Sequence, residues 1–181
     1  MSIAILQKHR AEILDLVERA EHLAQDLQAR SPECVLCHSD IHAGNVVVDA
    51  DDELYIVDWD SPVLAPKERD LMFPGGGQGF IGHTAEDEET LFYRGYGPAQ
   101  IDPVALAYYR YERIIQDIAA FCEEIFSTAG GEDREQALRY LMSNFLPDHT
   151  VEIACASDKT RGFPLTTAAD PASTPPTPAG G

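Results

Sequence analysis

Between His38 and Asp60 the chain places hard-oxygen side chains at fixed intervals. His38-Ser39-Asp40 comes first, Asn45 then stands ahead of Val46-Val47-Val48, and Asp58-Trp59-Asp60 follows Ile56-Val57. A carboxylate, an amide five residues on and a second carboxylate beyond two β-branched runs suit phosphoryl transfer. In that chemistry the protein mainly positions the nucleophile and offsets charge on the transferring group. It needs one carboxylate near the acceptor hydroxyl and a few oxygen ligands for Mg²⁺. Asp40 suits the first role, and Asn45 and Asp58 the second. Taken singly, each is the kind of residue that forms a turn or ends a strand; their joint spacing singles them out.

These side chains must be held by the elements around them. Val46 to Val48 and Leu54 to Val57, joined by Asp49-Ala50-Asp51-Asp52-Glu53, predict a hairpin. Asn45 precedes one strand and Asp58 follows its antiparallel partner, so both fall at the same end and can converge on one ion. Magnesium takes few protein oxygens besides phosphate and water, so this set suffices. Upstream, the apolar spacing of Leu6, Ile13, Leu16, Val17, Ala20, Leu23 and Leu27 predicts a helix from Ser2 to about Arg30, ended by Ser31-Pro32. Cys34 to Cys37 reads as a short buried strand.

Downstream, Ser61 to Lys67 holds two prolines and reads as a loop, and Pro74 to Gly79 as a flexible connection. Helices are then predicted at Glu86 to Tyr96, from Asp102-Pro103 to about Phe126, at Glu132 to Phe145 and at Asp148 to Ala156. The fold class is therefore α+β and mostly helical, with one domain over 1–163. From Pro164 to Gly181 the Pro, Ala and Thr composition cannot offset its ordering entropy, and a disordered tail is expected.

The formal charge of −18, from 31 acidic and 13 basic side chains, argues against a nucleic-acid partner and permits a cationic small molecule. No apolar run is long enough to span a bilayer and the start does not read as a signal peptide, so no membrane partner and a cytoplasmic location are expected. Two motifs are set aside. Cys34-Val35-Leu36-Cys37-His38 has the haem-attachment pattern, but strand alternation turns the two thiols to opposite faces, and no second Cys or His pair completes a zinc site. Gly77-Gln78-Gly79-Phe80-Ile81-Gly82 has a phosphate-loop pattern but follows no predicted strand.

The pattern from His38 to Asp58 resembles the aminoglycoside phosphotransferase family, relatives of the protein kinases, whose loop reads His-x-Asp-x-x-x-x-Asn with a metal-binding Asp after the next hairpin. Trp59-Asp60 and the run Leu64 to Phe73 are similar to its spectinomycin-type branch. The resemblance implies the C-terminal lobe of a kinase-like fold and ATP- and Mg²⁺-dependent phosphorylation of a small-molecule hydroxyl, with an aminoglycoside-type or other amine-bearing compound as the expected substrate. It implies that Asp40 is the catalytic base or hydroxyl-orienting group and that His38 supports the catalytic loop. Asn45 and Asp58 would be the Mg²⁺ ligands that also bind the nucleotide phosphates, with Asp60 assisting the metal or touching substrate. Asp70 would brace the loop from behind. Kinases of choline, homoserine or sugar amines share the loop and stay open as alternatives.

Kinase-like enzymes carry a strand-rich nucleotide-binding lobe ahead of this loop. Only 37 residues precede His38, they read as one helix and one strand, and Lys8 falls in the helix. The expectation is that the N-terminal lobe is absent, leaving a truncated or partial enzyme, a chain that a partner completes, or an inactive binding remnant.

Overall fold

The computed structural model describes residues 2–77, 84–127 and 131–159. Helix α1, Ser2–Lys8, and helix α2, Arg10–Arg30, replace the single predicted helix, with a break at His9. The break is slight, since the His9 N–H still bonds the Ile5 carbonyl and the His9 carbonyl accepts from Ile13. Helix α2 ends where predicted, at Ser31 in the left-handed region (φ 48°), whose N–H bonds back to Leu27.

Strands β1 (Val35–Cys37), β2 (Val46–Val48), β3 (Leu54–Ile56) and β4 (Val63–Ala65) form two antiparallel pairs, β1 with β4 and β2 with β3. The hairpin register sets Val46 opposite Ile56 and Val48 opposite Leu54. Two expectations are corrected. The predicted loop from Ser61 to Lys67 contains β4: Pro62 and Pro66 flank the strand and so cost it no ladder bond, and Val63, Leu64 and Ala65 pair with β1. The strand at Cys34 to Cys37 is not buried throughout: Cys37 is enclosed, whereas Cys34, Val35 and Leu36 are exposed.

Helix α3 (Glu68–Leu71) leads into a turn at Pro74 to Gly77, and α4 (Ala85–Tyr96), α5 (Pro103–Phe126), α6 (Glu132–Ser143) and α7 (Thr150–Ser157) follow. Thr84 and Asp87 close a capping box on α4, and the Asp102 carboxylate accepts the Val104 N–H at 2.8 Å at the start of α5. Helix α5 is the central element. Its Tyr111, Ile114, Ile118 and Ile125 pack with Leu16 and Leu23 of α2 and Leu141 of α6, and its Ala105 and Tyr109 pack with Leu27, Cys37, Met72 and Phe73.

The turn after α3 is packed, contrary to the flexible connection read over Pro74 to Gly79. Arg110 is buried and donates to the Met72 and Pro74 carbonyls at 3.3 and 3.0 Å, and burial lowers the guanidinium from its ordinary value. A Cβ on Gly76 would come within 2.5 Å of the Met72 carbonyl oxygen. The rest of the glycine motif and the tail from Pro164 lie outside the described residues. Among the described residues no helix is long and apolar enough to cross a membrane.

Candidate functional site

The loop after β1 is built on an unusual backbone. Ser39 has a φ of 70°, a conformation that costs a non-glycine residue energy and must be held by its surroundings. Asp70 of α3 holds it: its two carboxylate oxygens accept the N–H groups of His38 and Ser39 at 2.8 and 2.7 Å, and the Ser39 hydroxyl donates to the Ser61 carbonyl at 2.7 Å. Asp70 thus braces the loop from behind.

His38 is 2% exposed. Its Nδ1 accepts the Asp40 N–H at 3.3 Å and its Nε2 lies 2.8 Å from the Val57 carbonyl, to which it donates. One ring therefore ties the base of the loop to the end of the hairpin. Trp59 meets that ring edge-on, with centroids 4.6 Å apart, and donates its indole N–H to Ile56. It is half-exposed, so it shields His38 instead of filling the core.

Asn45 ends a short 3₁₀ turn, Ala43–Asn45, and is buried. Its Nδ2 donates to the Asp40 carbonyl at 2.8 Å, while its own carbonyl accepts the Val57 N–H at 2.9 Å. With Nδ2 committed to the loop, Oδ1 is the amide atom left to face a ligand. Asp58 follows directly with a φ of 67°, which Asp tolerates better than most residues, and is exposed. The structure thus brings Asp40, Asn45 and Asp58 to one end of the hairpin. Asp60 lies two residues on and is also exposed.

Among the described residues no three His, Cys, Asp or Glu side chains form a ready cage for a metal. Magnesium needs none: the Asn45 amide oxygen and the Asp58 carboxylate are the hard donors it prefers, with phosphate and water filling the remaining positions. The donor set fits the ion. Cys37 does not fit a metal or haem role, because burial, then the Asp70 charge, raises its thiol and keeps it protonated.

His42 accepts the Gly44 N–H through Nδ1 at 3.0 Å and points Nε2 toward Asp40 at 3.7 Å. A side chain on Gly44 would meet that ring at 2.7 Å. Beside the loop opens a cavity of about 460 Å³, walled by His42 and Phe73, by Val46 and Ile56 of the hairpin, and by Glu88 and Phe92 of α4. Of the acidic run at Glu86 to Glu89, Glu88 therefore borders the site.

One site residue was not legible in the sequence. Arg113 of α5 donates through Nη1 to Asp40 Oδ1 at 2.6 Å, across 73 residues of chain.

The profile of the phosphotransferase enzyme family matches residues 2–73, which include the whole loop, the hairpin and Asp70. Two crystal structures of the spectinomycin phosphotransferase APH(9)-Ia, one in complex with ADP and spectinomycin and one bound to AMP, each match at 42% identity with a TM-score of 0.73. The matches cover 86% of this chain and 47% and 48% of theirs, so the chain spans about half the length of these relatives. No curated protein sequence matches the chain significantly.

Proposed function

We infer from these similarities that the chain is homologous to the aminoglycoside phosphotransferases, and within them to the spectinomycin branch. From that premise we propose that it carries the acceptor and metal side of an ATP- and Mg²⁺-dependent O-phosphorylation of an amine-bearing small molecule. The reading rests on one linked set of bonds: Asn45 Nδ2 to the Asp40 carbonyl, Val57 N–H to the Asn45 carbonyl, and His38 between Asp40 and Val57. These bonds lock the loop and the hairpin end into one unit.

Asp40 orients the acceptor hydroxyl and takes its proton as the new O–P bond forms and the bond to the nucleotide breaks. His38 holds the Asp40 backbone and so fixes where that carboxylate starts. Asn45 and Asp58 would hold Mg²⁺, with Asp60 beside them, and the ion when bound neutralises charge on the phosphates. Nucleotide use is supported by the ADP and AMP in the relatives. We assign this chain, which spans about half the length of these relatives, a C-terminal-lobe role.

Incubating the chain with ATP, Mg²⁺ and spectinomycin, with phosphorylated product followed by mass spectrometry, tests the reading. Slow transfer that Asp40→Asn abolishes is the expected result. Transfer that survives Asp40→Asn removes its role, and absence of both transfer and Mg²⁺–nucleotide binding turns the assignment to a non-catalytic one.

A further inference from the structure

Arg113 reaches Asp40 from the middle of α5 and is itself held in place. Its guanidinium lies over the Phe73 ring at 5.6 Å, its Nε is 2.9 Å from Asp117 Oδ1, and its side chain is 20% exposed. The approach to Asp40 Oδ1 at 2.6 Å is therefore a preset contact. Between Arg30 and Lys67 the sequence holds eight Asp and Glu residues and no Lys or Arg. The loop supplies no permanent cation of its own, and α5 delivers one.

An amine-bearing acceptor creates a difficulty for such a site. A bare carboxylate at the reacting position attracts an ammonium group more strongly than a hydroxyl, and an ammonium seated there keeps the hydroxyl out of line for attack. We infer that Arg113 is a specificity-determining residue: by pairing with Oδ1 it cancels the pull of Asp40 on ammonium groups and leaves Oδ2, which faces His42, as the acceptor for a hydroxyl. The amines of the acceptor are then steered to carboxylates farther along the cavity, of which Glu88 is one. The inference rests on the phosphotransferase reading for the nature of the acceptor, but its test needs no turnover.

The test follows the Asp40 side-chain carboxyl signal in the ¹³C-labelled chain, assigned by its loss in Asp40→Asn, during titration with cyclohexylamine at neutral pH and low salt. In the unsubstituted chain and in Arg113→Lys, which keeps the charge, the signal is expected to move only at the higher amine concentrations. In Arg113→Gln it should move at lower ones, with the amine bound roughly threefold to fivefold more tightly. Arg113→Met, whose stem keeps packing on Phe73, is read in the same way should the Gln variant not fold. A signal that stays still in every variant overturns the inference. So does one that moves equally in the unsubstituted chain, or one that moves in Arg113→Lys as it does in Arg113→Gln. Phosphotransfer is scored separately, so failure of either conclusion leaves the other standing.

Discussion

Asp70 and Ser39 are joined by a 2.7 Å bond from the Ser39 N–H to Asp70 Oδ1, and this bond holds a non-glycine residue at a φ of 70° one position before Asp40. The other oxygen of Asp70 holds the His38 N–H. Charge-assisted bonds to partly buried backbone are stronger than neutral ones. Asp70→Ala should destabilise the chain by about 2–3 kcal/mol in urea titrations. It should also move the amide signals of His38 and Ser39; an unchanged unfolding midpoint would contradict the bracing role.

Asp58 is exposed and in the left-handed region, which Asn also tolerates. Asp58→Asn should therefore change stability by less than about 0.5 kcal/mol. With Mn²⁺ as a paramagnetic stand-in for Mg²⁺, the variant should bind the ion more weakly in the presence of ATP, and electron paramagnetic resonance reads the free ion directly. Equal Mn²⁺ affinity in the two chains would remove Asp58 from the ligand set.

Asp158 Oδ2 accepts from Arg19 Nε at 2.9 Å and from the Tyr111 hydroxyl at 3.0 Å, joining α2, α5 and the end of α7. Withdrawing that carboxylate from a buried guanidinium costs far more than deleting one neutral hydroxyl. Asp158→Ala is expected to lose about 3 kcal/mol and Tyr111→Phe about 1 kcal/mol in thermal or urea unfolding. A reversed order would show that the network does not depend on its charge.

Stability should also fall in alkali. Burial, followed by the Glu112 charge, pushes the Tyr109 phenol up to about 12, while the unfolded chain releases that proton near pH 10. The folded state thus holds a proton that the unfolded state has lost, so this contribution is complete below about pH 10 and fades as the pH rises through about 12. Urea midpoints should be level up to about pH 9 and drop by about pH 11. Tyr109→Phe should flatten part of the drop, and a parallel drop in that variant would point to other groups.

The loop and hairpin were legible because their signals are local. Asn45 and Asp58 flank β-branched runs, so strand pairing alone brings them together. Asp102-Pro103 announced α5 by the chemistry of its first turn, and its Asp side chain does cap it. Strand β4 was missed because prolines are turn signals in a sequence and only pairing with β1 shows that they flank a strand. Arg110 and Arg113 were missed for a related reason. Helical periodicity assigns charged residues to solvent, whereas Arg110 is buried against two carbonyls and Arg113 ends on Asp40. Both contacts join segments more than thirty residues apart, a range that no local pattern reports.

Helix α5 is the common wall of both apolar clusters and the source of the cation at Asp40. Substitutions that loosen it strike folding and chemistry together. Random mutation would therefore seldom yield a well-folded chain with a displaced Arg113, because the packing that seats α5 in the core also aims that side chain. In a mutational screen, tolerance along this helix should follow foldability, and positions that separate the two should be confined to Arg113 and the residues that touch its guanidinium.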